Sequence, residues 1–298
     1  MTLLITGSAN FDEEMLTNLQ NKGHKIIFLQ DESKTALLSV DEIEGVVCNN
    51  LFSYINLDLF KKLKFVQFTC AGEDRLPIKT LQAKKISYFT AGSIYSIPIS
   101  EFIICCLLDI LKESHTFFVN QTMRKWQKNR ELKELFGLKC LFFGCGNIAH
   151  ETAKRLKALG CVVYGIDNKK AVDEYFDKIY GINDIETVLR DADIVISTLP
   201  LNDETFHYFN KEKFGLMKQG SIFINCSRGK VVDENELIRS ITKFYGVILD
   251  VFETEPLDSE SKLWNFKNVI VTPHNSFVSN KNNLRLYQLL LKNLESES

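Results

Sequence analysis

The chain has 298 residues, 45% of them hydrophobic and 25% charged, which are the proportions of a folded globular protein. Its formal net charge of -2 and its pI near 6.3 provide no basic excess, so a nucleic-acid partner is not expected. The longest apolar stretch, Phe102–Leu108, is far shorter than the ~20 residues of a membrane span. No leader-like segment opens the chain, and the eight cysteines show no C-x-x-C spacing. These features predict a cytoplasmic protein with reduced thiols, no membrane partner and no metal site.

Residues 2–90 alternate between short apolar runs and amphipathic stretches. The predicted strands are LLITG, HKIIFL, GVVCN, KFVQFTC and ISYFT, and the amphipathic stretches include Asp12–Asn21 and Ile55–Leu63. Alternation of this kind predicts a parallel sheet with helices on its faces. A long helix is then expected from about Pro98 to Phe118, with the proline in its first turn. Its run FIICCLLDIL is apolar on more than one face, which predicts burial against a second copy of the chain in a homodimer.

A second alternating series begins at Leu138. Its strand candidates are KCLFFG, CVVYGID, DIVIST, SIFINC, YGVILDV and NVIVTP, and six strands is the count of a dinucleotide-binding doubly wound domain. A last amphipathic helix, Val278–Leu294, should pack back on the first domain because the second sheet is already complete. The predicted fold class is therefore α/β, with two Rossmann-like parallel-sheet domains and a boundary near residue 97.

A glycine-rich turn follows the first strand of the second series. The sequence GCGNIA begins at Gly144, and its second glycine is Gly146. The first glycine permits a tight turn, and the second allows the backbone to approach a pyrophosphate at the helix N-terminus. Asp167 stands at the end of the next strand, where a carboxylate binds the ribose hydroxyls of NAD and repels the 2′-phosphate of NADP. A turn or helix-capping aspartate is the alternative, and Lys169 and Lys170 would weaken the preference for NAD.

Three ionisable residues follow the last three predicted strands. Arg228 comes after SIFINC, Glu255 after YGVILDV, and His274 after NVIVTP. Ligands of α/β sheets bind at the carboxyl ends of the strands, so these side chains point to catalysis rather than to packing. A cation, a carboxylate and an imidazole can together bind a carboxylate substrate and move a proton.

These segments together resemble the D-isomer-specific 2-hydroxyacid dehydrogenases, in the short form without a regulatory domain. The landmarks occur in order along the chain: AGEDRLP, YSIPISE, the glycine-rich turn, TLPLNDET, NCSRGKVVDE, DVFETEP and TPH. The resemblance implies a dinucleotide domain inserted into a discontinuous substrate domain, with residues 98–274 binding NAD and residues 1–97 plus 275–298 binding substrate. It also implies that a small 2-oxo or 2-hydroxy acid is the substrate.

The resemblance implies a role for each matching residue. Arg228 would hold the carboxylate and carbonyl oxygen of the substrate, His274 would be the general acid and base, and Glu255 would stabilise the imidazolium. Substrate contacts would come from the backbone of Ala71 and Gly72 and from Tyr95. The predicted cofactor-binding residues are Gly144, Gly146, Asn147, Ile148, Asp167, Leu199, Pro200, Thr205, Cys226 and Asp250. For Pro200 and Thr205, a turn at the strand exit explains the sequence equally well.

The chain departs from the family pattern in the first substrate loop, where Glu73 adds a negative charge beside the expected anion site. The leading hypothesis is an NAD-dependent reductase of glyoxylate, hydroxypyruvate or a similar 2-oxoacid. One alternative is oxidation of 3-phosphoglycerate, with Arg75, Lys62 or Lys64 binding the phosphate. An alternative of another class is an NAD(H)-sensing binding protein similar to the corepressors of this fold.

Overall fold

The computed structural model describes residues 1–36, 38–168 and 172–297, and these residues form two compact units. The first unit comprises Met1–Tyr95 and Ser279–Ser298, and the second comprises Ser96–Val278. Each unit is built on one parallel sheet, so the predicted α/β class with two parallel-sheet domains is confirmed. None of the helices in the described ranges is long and apolar enough to cross a membrane.

The first unit contains a five-stranded parallel sheet in the order β2-β1-β3-β4-β5. Its elements are β1 (Thr2–Thr6), α1 (Glu13–Asn21), β2 (Lys25–Leu29), β3 (Gly45–Cys48), β4 (Phe65–Phe68), α2 (Ile78–Ala83), β5 (Ser87–Phe89) and the C-terminal helix Asn282–Ser296. The predicted amphipathic stretch at residues 55–63 contains only a short 3-10 turn, Leu57–Leu59. Asp12 caps α1 by accepting a hydrogen bond from the backbone N–H of Met15 at 2.8 Å.

The C-terminal helix packs on the first sheet, as the sequence predicted. Its buried residues Leu286, Leu290 and Leu294 belong to the same apolar core as Leu3 and Phe65 of that sheet. The helix begins at Asn282 rather than at Val278. A buried hydrogen bond also joins it to the sheet, because the amide of Asn293 donates to the side-chain oxygen of Gln67 at 2.7 Å.

The second unit contains a seven-stranded parallel sheet in the order β12-β11-β10-β9-β6-β7-β8. Its strands are β6 (Lys139–Phe143), β7 (Val162–Ile166), β8 (Lys178–Tyr180), β9 (Ile194–Ser197), β10 (Ile222–Asn225), β11 (Gly246–Leu249) and β12 (Val269–Val271). The sequence predicted six of these strands and missed β8, which has only three residues. The strand order reverses between β6 and β9, and ligands of open α/β sheets bind at such a switch point.

The helices of the second unit differ from the prediction at one place. They are α3 (Ser96–Lys112), α4 (Ser114–Thr122), α5 (Asn147–Ala158), α6 (Ile185–Asp191), α7 (Lys211–Leu216) and α8 (Glu234–Ser240). The helix expected at 98–118 is thus two helices, because Glu113 between them has a left-handed backbone with φ of 47°. Several large apolar side chains after this break are exposed: Phe118, Val119, Met123, Trp126 and Phe136.

Candidate active site

The glycine-rich turn joins β6 to α5 at the switch point of the second sheet. Gly144 has φ of +86°, and a Cβ there would lie 3.2 Å from the carbonyl oxygen of Thr198 at the end of β9. The hydroxyl of Thr198 donates to the carbonyl of Gly144 at 2.7 Å, which ties the turn to β9. Gly146 caps α5, and a Cβ there would meet no atom within 4 Å. The turn therefore leaves open space beside backbone N–H groups at a helix N-terminus, which fits a pyrophosphate.

Asp167 follows β7 and faces this turn. One oxygen of its carboxylate accepts a hydrogen bond from the backbone N–H of Cys145 at 2.8 Å. Burial raises the pKa of the Cys145 thiol to about 12, so that thiol stays neutral in the turn. The structure thus brings Asp167 beside the turn, as the sequence suggested, and gives it a supporting role as well. The two cations expected to weaken the preference for NAD, Lys169 and Lys170, lie outside the described residues.

The loop after β9 forms a compact turn closed by Thr205. The Thr205 hydroxyl donates to the carbonyl of Pro200 at 2.6 Å and accepts from the backbone N–H of Asn202 at 2.9 Å. Thr205 therefore uses its side chain inside the turn, and Leu199 and Pro200 form the segment that enters the turn. This geometry supports the turn explanation for Pro200 and Thr205, and their contact with a cofactor stays a prediction.

Arg228 lies three residues after β10 in a loop that Asn225 organises. The Asn225 side chain donates to the carbonyl of Arg228 at 3.0 Å and accepts from the Ser227 hydroxyl at 2.8 Å. The guanidinium of Arg228 donates to the carbonyl of Ser227 at 2.9 Å. The next residue, Gly229, packs directly against the loop after β11. A Cβ on Gly229 would lie 1.9 Å from the carbonyl carbon of Phe252 in that loop.

Glu255 and His274 form a direct pair at the ends of β11 and β12. Nδ1 of His274 lies 2.8 Å from Oε2 of Glu255, and both side chains are about one-third exposed. The other oxygen of Glu255 accepts from the backbone N–H of Phe252 at 3.0 Å, which fixes the carboxylate. The edge of the imidazole meets the ring of Phe277. With Nδ1 held by Glu255, Nε2 is the nitrogen that can exchange a proton with a substrate.

Asp250 holds the segment that carries His274. It is fully buried, and its carboxylate accepts from the Thr272 hydroxyl at 2.6 Å and from the backbone N–H groups of Asn275 and Ser276 at 2.8 and 3.0 Å. Its carbonyl accepts from the backbone N–H of His274 at 2.8 Å. Cys226 is also buried, and burial raises the pKa of its thiol well above the usual range. The sequence did not indicate this supporting role of Asp250, and the predicted contact of Asp250 and Cys226 with a nicotinamide stays a prediction.

The remaining predicted residues belong to the first unit. Ala71 and Gly72 lie in the loop after β4, where Ala71 is exposed. The hydroxyl of Tyr95 donates to the carbonyl of Thr69 at the start of the same loop. Burial raises the pKa of Tyr95 to about 12, so its hydroxyl remains a proton donor at neutral pH. The exposed backbone of this loop is compatible with an anion site, and its role stays a prediction.

The three ionisable residues therefore lie at the carboxyl ends of three adjacent strands, β10, β11 and β12.

The sequence matches that of a known protein family. The family model of the D-isomer specific 2-hydroxyacid dehydrogenase NAD-binding domain matches residues 104–276. The hydroxypyruvate reductase of Thermotoga maritima is 28% identical over 271 residues, which are 88% of each chain. Glyoxylate/hydroxypyruvate reductase B of Escherichia coli (strain SMS-3-5) is 30% identical over 244 residues, 78% of this chain and 74% of that one.

The same family appears among solved structures. A D-isomer specific 2-hydroxyacid dehydrogenase family protein from Aeromonas salmonicida aligns with a TM-score of 0.87 and 28% identity, over 98% of this chain and 94% of that one. The chain belongs to the D-isomer specific 2-hydroxyacid dehydrogenase family. It is an oxidoreductase that acts on CH–OH donors, and its second unit contains the NAD-binding domain of that family.

Proposed function

We propose that the protein is an NAD-dependent D-2-hydroxyacid dehydrogenase that reduces a small 2-oxoacid such as glyoxylate or hydroxypyruvate. The observation that carries the proposal is the 2.8 Å pair of His274 and Glu255, one strand away from the loop of Arg228. Such a pair supplies a proton at a fixed position, and an arginine beside it suits a carboxylate substrate. The names of the relatives in Thermotoga and Escherichia support the same substrate class.

In this mechanism Arg228 binds the carboxylate and the carbonyl oxygen of the 2-oxoacid. NADH supplies the hydride for the carbonyl carbon when it is bound. The carbonyl oxygen takes a proton from Nε2 of His274, and Glu255 stabilises the imidazolium through Nδ1 before transfer. In the oxidation direction the neutral imidazole takes the proton back. Asp250 keeps His274 in place throughout, because its carboxylate bonds the segment that follows His274.

The residues of the glycine-rich turn would hold the cofactor. Gly144, Gly146, Asn147 and Ile148 would present the backbone to the pyrophosphate, and Asp167 would accept hydrogen bonds from the adenosine ribose. The free space at Gly146 and the position of Asp167 beside the turn support this assignment. A carboxylate at this place favours NAD over NADP, because it repels a 2′-phosphate.

We assign the substrate contacts other than that of Arg228 to Ala71, Gly72 and Tyr95 of the first unit. The structure gives no support to the phosphoglycerate alternative. Its three proposed phosphate ligands already have acidic neighbours: Lys62 lies 2.5 Å from Glu42, Lys64 lies 3.0 Å from Glu44, and Arg75 lies 3.8 Å from Asp74. A phosphate would compete with these carboxylates for the three cations. The smaller unphosphorylated acids would not use these three cations.

The test is an NADH-oxidation assay against a panel of 2-oxoacids that includes glyoxylate, hydroxypyruvate, pyruvate and phosphohydroxypyruvate. We expect the highest catalytic efficiency with an unphosphorylated acid of two or three carbons. A preference for phosphohydroxypyruvate would instead support the phosphoglycerate alternative. Binding of NADH without reduction of any acid would contradict the enzymatic proposal and favour an NAD(H)-sensing protein.

A further inference from the structure

His207 lies between two loops. One follows β9, carries Leu199, Pro200 and Thr205, and is the cofactor loop; the other follows β11 and carries Glu255. It follows Thr205 by two residues, and its backbone N–H donates to the carbonyl of Lys230 at 2.8 Å. Its backbone is left-handed, with φ of 49°, a conformation that disfavours any side chain with a Cβ. A histidine at such a position is held there by its surroundings, which raises the question of what its imidazole does.

The imidazole of His207 is directed at two carboxylates. Nε2 lies 3.2 Å from Oε1 of Glu253, and Nδ1 lies 3.9 Å from Oδ2 of Asp233. The ring stacks on Phe206 with a centroid distance of 4.0 Å and an interplanar angle of 14°. Nε2 is buried, and within the described part of the chain it has no hydrogen-bond partner of good geometry. The 3.2 Å approach of Nε2 to Glu253 nevertheless brings the two loops into contact.

Glu253 is also fastened on its other side, by Glu234 at the start of α8. The carboxylate of Glu253 accepts from the backbone N–H of Glu234 at 2.9 Å, and its own N–H donates to the Glu234 carboxylate at 3.1 Å. This reciprocal pair fixes the backbone two residues before Glu255. The contact of Gly229 with Phe252 fixes the same loop from the side of Arg228.

Three carboxylates, Glu234, Glu253 and Glu255, thus lie close together in this region. Burial raises the pKa of Glu234, the repulsive charges of Glu253 and Glu255 add to this rise, and the hydrogen bond from the Glu253 N–H opposes it. Besides the Glu234 N–H, Nε2 of His207 also approaches the carboxylate of Glu253, at 3.2 Å. Without it, the repulsion acts on the loop whose Glu255 must stay 2.8 Å from His274.

We propose that His207 is a positioning residue. Through Glu253 it holds the Glu255 loop to the cofactor loop, so that Glu255 stays within hydrogen-bonding distance of His274. The proposal rests on the role proposed above for Glu255. It assigns a task to a histidine that lies outside the strand-end residues of the site.

The test uses His207→Gly in the full-length protein. Glycine suits the left-handed backbone, so the variant removes the imidazole without adding backbone strain and should still fold. We expect kcat for 2-oxoacid reduction to drop on the order of tenfold, with KM values for NADH and the acid nearly unchanged. The fall of the reduction rate with rising pH should begin at lower pH, as is expected for Glu255→Gln. In the Glu255→Gln background, His207→Gly should have little further effect.

The matched control is His115→Gln, which is compared with the same substitution at His207. His115 is exposed and lies 3.5 Å from Asp109 in the same unit, so its replacement should leave kcat and the pH profile unchanged. An unchanged kcat in His207→Gly would overturn the proposal. So would independent, multiplicative effects of His207→Gly and Glu255→Gln, or a rise in KM for NADH alone, which would confine His207 to the cofactor loop.

A spectroscopic measurement separates this proposal from the proposed function. The chain has five histidines, and His274→Gln identifies the imidazole NMR signals of His274. We expect His207→Gly to move the Nδ1–H signal of His274 in the direction that Glu255→Gln moves it. If no 2-oxoacid is reduced, the proposed function fails but this measurement still decides the positioning role. An unchanged His274 signal would overturn it even in an active enzyme.

Discussion

His274 has one ring nitrogen occupied by Glu255, which leaves the other for the proton that reduction consumes. We expect His274→Ala to lower turnover by about a hundredfold or more, because general acid catalysis contributes roughly 10²–10⁴. NADH affinity should stay nearly the same, since His274 lies away from the glycine-rich turn in the sequence and holds none of its backbone. Steady-state kinetics with NADH titration by fluorescence checks both parts. A variant that retains most of its turnover would show that another group delivers the proton.

The charge of Glu255 should set the pH range of reduction. Glu255→Gln retains an oxygen that can accept from Phe252 but loses the charge that stabilises the imidazolium. The proton donor is then lost at lower pH, so the falling limb of the reduction rate should move toward acid. The limb for oxidation, which needs the neutral ring, should move the same way. Identical pH profiles for the variant and the unmodified protein would contradict this role.

Asp167 should determine the choice between NADH and NADPH. Asp167→Ala removes a charged acceptor for the ribose and also the support of Cys145. We expect about a tenfold rise in KM for NADH, because a hydrogen bond to a charged group contributes about 1.5–3 kcal/mol, and a smaller gap to NADPH. The ratio of catalytic efficiencies with the two cofactors is the measurement. Equal efficiencies in the unmodified protein would assign the choice to other residues.

The ionisation of Glu234 should make the stability of the protein depend on pH. Burial raises its pKa, and the charges of Glu253 and Glu255 act in the same direction. Stability that depends on protonated Glu234 is present below its unfolded pKa of about 4.3 and is lost as pH rises through the folded value. Glu234→Gln cannot ionise, so it should unfold at a higher temperature than the unmodified protein at pH 7–8, and this gain should vanish below about pH 4. Thermal unfolding across this pH range tests it, and a lower unfolding temperature at pH 7 would be the contrary result.

The contact between the loops after β10 and β11 is the element-scale feature most sensitive to mutation. A Cβ on Gly229 would lie 1.9 Å from backbone atoms of Phe252, which cannot rotate away. Gly229→Ala should therefore cost roughly 1–3 kcal/mol or more in the free energy of unfolding, and it should displace Arg228 or Glu255. Gly215→Ala in α7 is the matched control, because a Cβ there meets no atom within 4 Å. Denaturant unfolding and turnover are measured on both; equal effects would contradict the packing argument.

The strands and the strand-end residues could be predicted from the sequence because buried parallel strands are continuous apolar runs. Strand β8 was missed because its three residues, Lys178–Tyr180, form too short a run. The break at Glu113 was missed because no glycine or proline marks it, and the break depends on one left-handed residue. Asp250 was assigned to the cofactor through the family resemblance, and the sequence does not show the three donors that surround its carboxylate.

His207 shows the same limit at the level of side chains. Its neighbours Glu253 and Asp233 are 46 and 26 residues away in the chain, and no local pattern joins them. Sequence periodicity records which face of an element is buried, and it does not record which loops meet at the end of a sheet. The supporting contacts of the site are therefore seen only in the structure, whereas its strand-end residues could be predicted from the sequence.

At the scale of the whole molecule, we expect a homodimer formed through the second unit. Exposed apolar side chains follow the break at Glu113, and Trp126, Phe136 and Met123 are exposed by 94%, 74% and 68%. Apolar surface of this kind marks an interaction site. Light scattering at micromolar concentration should give twice the chain mass, and Met123→Glu with Trp126→Glu should give a monomer that retains its fold by circular dichroism. A monomeric mass for the unmodified protein would refute the expectation.

The C-terminal helix also has a consequence for synthesis on the ribosome. Residues 96–278 are complete before Leu286, Leu290 and Leu294 leave the exit tunnel, whereas the sheet at the start of the chain needs these leucines for its core. Domains generally fold as units in the order of their emergence. Here the segment translated second can finish folding first, and the first-translated sheet must wait with part of its apolar face uncovered. A released chain that ends before Asn282 should accordingly resist protease across residues 96–278 while residues 1–95 remain cleavable.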